Sequence, residues 1–445
     1  MLTHLKLNNF KIWRSTGQMP LAPLTLLFGT NSSGKSSLIQ SLLLLRQTVK
    51  ARDPNLDLNF GNQDAGDSVT LGQFRDVLCR WGAATEVVRA NQIGIEFGWR
   101  GGEDRQSIGV FTARYEQGQG GSADLAYLRI GQGKQGFTAQ RGRHGAYKLW
   151  AADARRAIGQ SPAFKPHRSF AFSGAAAEAL GAQAAPVLSV GPALLAELSR
   201  IIYLGPVRRL AQRDYLWSGR FPGSIGDDGG QAVDALIASG VAKEEARRRR
   251  LPTSSAARLF DETAYWLHSM GLADDLKVRQ LGRSARYELL VVNGDGASNL
   301  KDVGVGVSQV LPVIVAALFA ERGHIVIVEE PESHLHPLAQ SQLAELFIQV
   351  SRERGVQFIV ESHSEHFLNR LQRRVAEGVV LPGNLAAYFC QRSSAAAELE
   401  PLRLDEFGEI ENWPENFFGD EMADIAGRTI AAMQRKRAAK TGGAE

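Results

Sequence analysis

Cysteine is nearly absent: Cys79 and Cys390 are the only two in 445 residues. Two thiols so far apart make neither a disulfide framework nor a zinc site, which points to a reducing cytoplasm. Long apolar runs are missing as well. The most apolar stretch, Val310 to Ala320, falls short of the ~20 residues that span a bilayer, so it reads as a buried helix in a soluble chain with no membrane role. The opening MLTHLKLNNFKIW alternates apolar and polar residues like a strand and lacks the basic-then-apolar order of an export signal. Charge of one sign is scarce too. With 51 Lys plus Arg against 47 Asp plus Glu, the formal charge is +4, too small over this length to mark a nucleic-acid binder. No heptad pattern persists through residues 51–290, which excludes long coiled coils. Hydrophobic content of 44% and charged content of 22% exclude a disordered chain. Glycine, in contrast, is plentiful at 46 residues, suiting turns or backbone-to-phosphate contacts.

At ~100–200 residues per domain, the length admits two to four domains or one large domain with insertions. Leu2 to Trp13 reads as a strand, and Leu21 to Phe28, almost wholly apolar, as a central one. A Gly/Ser turn from Gly29 to Gly34 leads into a leucine-rich helix over Lys35 to Lys50. Short alternating runs follow at Val87 to Trp99, Ser107 to Tyr115, Ala123 to Ile130, Phe137 to Gln140 and Tyr147 to Trp150. They predict an antiparallel meander. The Ala/Gly-rich stretch Phe172 to Pro186 reads as a mobile loop. Ile201 to Leu204 reads as a buried strand, Gln231 to Arg250 and Ser254 to Met270 as helices, and Leu276 to Asn293 as a hairpin. The last third is again α/β: helices over Ser308 to Ala320, Leu338 to Arg352 and Glu365 to Val375, with strands at His324 to Val328 and Val356 to Val360. Past Gly427 the chain is basic and Ala-rich, and it frays.

Gly29-Thr30-Asn31-Ser32-Ser33-Gly34-Lys35-Ser36 fits G-x-x-x-x-G-K-[ST] at every fixed position, between an apolar strand and a helix. Such a turn aims backbone N–H groups at phosphate oxygens, and the helix N-terminus adds a favourable dipole. Lys35 would neutralise β- and γ-phosphate charge, Ser36 would hold Mg²⁺ through its hydroxyl, and Ser37 continues the turn. The partner acids follow the apolar run Ile325-Val326-Ile327-Val328 as Glu329-Glu330. The carboxyl end of a strand is where ligands sit in open α/β sheets. Glu329 would bind Mg²⁺ through water, and Glu330 would act as general base on the attacking water. Alone, the pair reads equally well as two surface glutamates; beside the glycine loop the catalytic reading prevails. Nearly three hundred residues separate Ser36 from Glu329, too wide for a compact nucleotide switch.

Glu329-Glu330-Pro331-Glu332-Ser333-His334-Leu335-His336-Pro337 resembles the Walker B and D-loop of soluble ABC-type ATPases. The closest likeness is to the OLD-like and RecF/SMC-like AAA family ATPases. Phe358-Ile359-Val360-Glu361-Ser362-His363-Ser364 resembles their switch segment, and Val303-Gly304-Val305-Gly306-Val307-Ser308-Gln309 lies where their signature should be. Leu2 to Phe10 resembles their opening strand. Tyr203-Leu204-Gly205-Pro206-Val207-Arg208 and Asn412-Trp413-Pro414-Glu415-Asn416-Phe417-Phe418 are similar to segments of standalone members. The resemblance covers roughly the first fifty residues and residues 300–370. It implies a P-loop ABC-type head, a mixed sheet flanked by helices, with a large inserted β-rich and helical subdomain. The head would comprise residues 1–50 and 296–427, the insertion 51–295, and the basic tail 428–445.

The resemblance also implies a homodimer in which two heads sandwich two ATP molecules, each site joining one P-loop to the other subunit's signature. Gly306, Ser308 and Gln309 would then meet a γ-phosphate, although L-S-G-G-Q is not kept: Gly306, Val307 and Ser308 stand at its serine and two glycine positions. The other reading is a Gly-rich turn before a core helix. His363 would orient the water, or else serve as a structural cap. Gln73 is the candidate Q-loop residue at the metal, or else a surface glutamine in a turn. His334 and His336 read as D-loop contacts before metal ligands, since no third ligand is evident. Arg247 to Arg250 and Arg370, Arg373 and Arg374 share helices with glutamates and read as solvated faces, and Arg428, Arg435, Lys436, Arg437 and Lys440 make the basic tail. No basic run is interleaved with stacking aromatics. Few residues follow His363, too few for a Toprim nuclease. The leading expectation is an ATPase with ATP and Mg²⁺, serving a bacterial anti-phage or toxin-type system through a separate effector. The alternatives are a RecF/SMC-like DNA maintenance ATPase, with DNA as partner, and an ATP-gated scaffold with little turnover. Trp413, Phe417 and Phe418 read as core before a docking cluster.

Overall fold

The computed structural model describes residues 1–62, 66–81, 88–101, 108–132, 135–151, 154, 156–181, 184–249, 255–392, 397–414, 417, 428–433 and 435. Val87, Ser107, Arg250, Ser254, Glu415, Asn416, Phe418, Lys436, Arg437 and Lys440 lie outside the described residues.

The core is a six-stranded sheet ordered Ile201–Leu204, Ile325–Glu329, Gln357–Glu361, Leu24–Gly29, Leu385–Arg392 and Ala397–Leu402. The first five run parallel and the last antiparallel. Strands buried on both faces are apolar throughout, and here the side-chain alternation divides them between two cores. Leu24, Leu26, Phe28, Val326, Val328, Phe358 and Val360 face one core, with the helices Ala232–Arg249, Ser255–Ser269, Val305–Phe319, Pro337–Arg354 and Glu365–Ala376. Leu27, Ile325, Ile327 and Ile359 face the other, with Leu38, Ile39 and Leu42 to Leu45 of the helix Lys35–Lys50. A single strand therefore serves two layers because successive side chains point opposite ways.

The second core is closed by a nine-stranded antiparallel sheet running from Gly159–Ser161 through Gln92–Arg100 to Leu2–Phe10 and Trp13–Ser15. The opening strand Leu2–Phe10 pairs with Gln92–Arg100, and Ile201–Leu204 edges the central sheet. The stretch 51–295 thus shares sheets with both ends of the chain. A third sheet joins Asp275–Gln280 and Arg286–Asn293, the expected hairpin, to Tyr215–Leu216 and Gly296–Asn299. The architecture is the mixed α/β class read from sequence.

Two local expectations change. The stretch read as a mobile loop holds the helices Gly174–Leu180 and Ala184–Ser199. Alanine is the best helix former, and Ser173 caps the first helix by accepting from the Ala176 N–H at 3.1 Å. The signature helix begins a turn earlier than read, at Val305, so Gly306 and Ser308 lie in its first turn. The tail's cluster divides. Phe417 packs against Phe28 and Phe389, with ring centroids 5.4 and 4.9 Å away, while Trp413 is 46% exposed. Among the described residues, no helix is long and apolar enough to cross a membrane.

Candidate nucleotide-binding and hydrolysis site

Leu24–Gly29, Gln357–Glu361 and Ile325–Glu329 are neighbours, so their carboxyl ends open on one side. A cleft of about 760 Å³ lies there, within the range of small-ligand sites. Its phosphate-loop end is lined by Asn31, Ser32, Ser33, Gly34, Lys35, Ser36 and Ser37, faced by Glu330, Glu361 and His363.

The loop needs its glycines. Gly29 has φ of 136°, and a side chain there would run into the Cys390 carbonyl oxygen. Gly34 has φ of 103°, and a Cβ would lie 2.7 Å from Ile12 Cδ1. Neither conformation suits an L side chain. Trp13 Nε1 donates to the Gly34 carbonyl at 3.1 Å, fixing the turn from below. Lys35 Nζ donates to the carbonyls of Gly29 and Thr30 at 3.0 and 2.9 Å, so the buried ammonium spans the loop. The helix Lys35–Lys50 has no side-chain cap on Gly34, and while the Ser37 N–H donates to the Gly34 carbonyl at 3.0 Å, an anion at this N-terminus would meet the amides before it.

Carboxylates meet Ser36 from two adjacent strands. Ser36 Oγ donates to Glu361 Oε2 at 2.9 Å, and Glu361 Oε1 lies 3.7 Å from Lys35 Nζ. Tyr203 OH donates to Glu329 Oε1 at 2.6 Å. Burial, and next the neighbouring Glu329 charge, push the Glu361 carboxyl up to about 7, against Lys35 and Ser36. Burial raises Glu329 as well, against hydrogen bonds from Tyr203, Glu361 and Ser36. Two buried carboxylates and a hydroxyl are hard oxygen donors with surplus negative charge, a set that fits Mg²⁺.

Glu330 turns out of the sheet at φ of 45°. Its N–H donates to the Glu361 carbonyl at 2.8 Å, and its Oε2 accepts from Ser333 Oγ at 3.2 Å. His363 is placed by its backbone N–H, which donates to Glu332 Oε1 at 2.6 Å. Partial burial, and then Lys35, hold its imidazole below the usual value, with Glu330 opposing. A neutral imidazole beside a carboxylate can orient a water while the carboxylate takes its proton.

The remaining sequence candidates lie elsewhere. Gln73 caps the short helix Phe74–Val77, its N–H donating to Asp76 Oδ2 at 2.9 Å; Asp76, and not Gln73, lines the cleft. Gly306, Ser308 and Gln309 are not on this chain's cleft. A Cβ on Gly306 would sit 2.7 Å from the His334 carbonyl, Ser308 is half-buried with its Oγ donating to the Val305 carbonyl at 3.0 Å, and Gln309 is buried. Among the described residues, no three His, Cys, Asp or Glu side chains gather to hold a metal, so His334 and His336 belong to no such cluster. His336 caps Pro337–Arg354 instead. Arg249 pairs with Glu245 at 2.6 Å on a solvated face, whereas Arg370 and Arg374 both pair with Glu345, at 2.8 and 2.7 Å, in a largely buried cluster.

Four residues carry more than the sequence assigned to them: Tyr203, Arg208, Glu332 and Glu361. Glu361 had a visible signal, since it ends the apolar run Phe358-Ile359-Val360 as Glu329 ends its own. The other three act through contacts that only tertiary structure makes.

Residues 183–369 match the family model described as "AAA domain, putative AbiEii toxin, Type IV TA system", and residues 382–426 match a protein family of unknown function, DUF3696. A putative ABC transporter ATP-binding protein from Geobacter sulfurreducens is 25% identical over 153 residues, covering 34% of this chain and 52% of that protein. The chain therefore spans about half the length of that curated relative. Solved structures with a similar outline include an SMC head bound to the C-terminal winged-helix domain of ScpA, with TM-score 0.47, 12% identity, and 91% and 98% of the two chains covered. The SMC head domain from Thermotoga maritima gives 0.41, 12%, 90% and 99%. The matched stretch 183–369 includes the edge strand Ile201–Leu204, Glu329, Glu330 and His363, so this part of the chain is similar to the AAA domains of the matched family.

Proposed function

We propose that the chain binds ATP in this cleft and hydrolyses it. The supporting observation is the meeting of Lys35, Ser36, Glu361, Glu330 and His363 on one sheet edge although they lie far apart in sequence. The loop amides and Lys35 hold the β- and γ-phosphates. Ser36, Glu361 and Glu329 would hold Mg²⁺, which would neutralise phosphate charge when bound. Glu330 takes the proton of the attacking water, and His363 keeps that water in line with the γ-phosphate.

The working unit is a head-to-head homodimer. The helix Val305–Phe319 also lacks a side-chain cap, and its half-buried Ser308 does not reach its own cleft. It suits the γ-phosphate of a second copy. In the cytoplasm, such a cycle would serve as the sensor or motor of a toxin-type or anti-phage system through a separate effector. The description of the matched family favours that role.

Glu330→Gln tests the core of this reading. The variant should bind ATP, lose about 100-fold or more in kcat, and accumulate as a dimer with ATP by light scattering. Turnover at the native rate would refute the assignment of Glu330. DNA-stimulated turnover that fades with salt would instead favour a DNA maintenance role.

A further inference from the structure

Behind the Glu329–Glu330 turn lies a guanidinium that the reaction scheme above does not use. Arg208 is 4% exposed. Its Nη2 donates to the Glu329 carbonyl at 2.7 Å and to the Glu330 carbonyl at 3.1 Å, while Nε and Nη1 are buried without a hydrogen-bond partner. Glu332 is 7% exposed; its Oε1 accepts from Ser362 Oγ at 2.9 Å and from the His363 N–H at 2.6 Å, while Oε2 is buried and unpartnered. Burial pulls Arg208 down, and the carboxylates of Glu332, Glu330 and Glu329, in that order, oppose it. Burial likewise raises the Glu332 carboxyl, opposed by hydrogen bonds from the His363 N–H and Ser362. A buried charge is costly unless another charge answers it.

We propose that Arg208 is a positioning residue for hydrolysis, clamping the Glu329–Glu330 turn on one side and balancing the buried charge of Glu332 on the other. The proposal rests on the ATPase reading given above. Glu330 has φ of 45°, a backbone conformation that costs energy outside glycine and persists where surrounding contacts enforce it. The Arg208 Nη2, shared between two successive carbonyls, is such a contact, and the Glu330 N–H to the Glu361 carbonyl is another. Glu332 fixes the backbone of His363. Two buried side chains of opposite type, Arg208 and Glu332, therefore hold the backbone of both groups that address the attacking water. Arg208 itself does not line the cleft, so it acts through Glu330 and His363, and nucleotide affinity should not depend on it.

The test is steady-state ATP hydrolysis with the full chain, alongside Kd for a non-hydrolysable ATP analogue. Arg208→Lys keeps the charge but replaces the planar, fixed guanidinium with a rotatable point charge of different reach, so the two carbonyls lose their set geometry. It should lose about 100-fold in kcat, as a misplaced catalytic group does, with KM and Kd within about twofold of native. Glu332→Gln keeps an oxygen for Ser362 and the His363 N–H but removes the charge. It should also lower kcat, and the double variant should be no slower than the worse single, because the two act as a unit. Should Arg208→Lys fold poorly, the Glu332→Gln kcat and Kd carry the test alone. Native kcat in the variant that folds, or an equal loss in kcat and analogue affinity, would overturn the proposal. A native chain that turns over no ATP would overturn the ATPase reading itself, so the two failures are distinguishable.

Discussion

Lys35 carries the nucleotide site at the scale of single residues. Its ammonium is buried, holds two loop carbonyls and lies 3.7 Å from Glu361. Lys35→Ala removes the positive charge that would meet the phosphates, and ATP should bind about 100-fold more weakly, roughly 2–3 kcal/mol, by titration calorimetry. Glu361 makes a pH prediction. Its carboxyl is pushed from the usual 4.5 up to about 7 in the folded chain. Between those values the folded state binds more protons than the unfolded state, so stability falls as pH rises. The contribution is fully present below about 4.5 and lost as pH passes through about 7. Thermal unfolding in EDTA should show Tm declining across that window, with a shallower slope in Glu361→Gln. An unchanged slope in that variant would assign the pH dependence to another group.

Among the elements, the helices Lys35–Lys50 and Val305–Phe319 each start after a glycine, which has no side chain to cap them. The first opens on its own cleft; the second carries Ser308 in its first turn and does not. Ser308→Glu places a carboxylate where a second copy's γ-phosphate would sit. Like charges repel there, so the variant should bind ATP as the native monomer does yet form no dimer when combined with Glu330→Gln. Sedimentation in ATP reads the result, and a native-like dimer would remove Ser308 from the interface. The helix itself starts at Val305 because Gly304 ends the extended stretch before it, a boundary that glycine-rich sequence leaves open by several residues.

Over the whole molecule, one buried side chain stitches the opening strand to the central sheet. Gln357 is fully buried. Its Oε1 accepts from the Leu2 N–H at 2.8 Å, and its Nε2 donates to the carbonyls of Leu2 and Ala22 at 2.9 and 3.0 Å. The antiparallel sheet and the parallel sheet meet at this amide. Gln357→Leu would leave those backbone groups buried without partners, at about 1–3 kcal/mol each at most. Urea unfolding should show a loss of about 2–4 kcal/mol and a broader transition as the two sheets uncouple. A variant of native stability would mean that water replaces the amide.

The sequence by itself determined the phosphate loop, the acidic strand end and the α/β class. Each is a local pattern: Gly29 and Gly34 are required by backbone angles, the Lys35–Lys50 helix by its leucine spacing, and Glu329 and Glu330 by an apolar run that must be buried. Local patterns carry no partner information, which is why Gln73 read equally as a Q-loop residue and as a surface glutamine in a turn, and why Phe172 to Pro186 read as a loop although its alanines form helix. Only the tertiary structure decided that Glu361 meets Ser36, that Tyr203 holds Glu329, and that Arg208 and Glu332 lie behind the catalytic turn. Those contacts join strands far apart in the chain, and sheet order, set by burying both faces at once, is what brings them together.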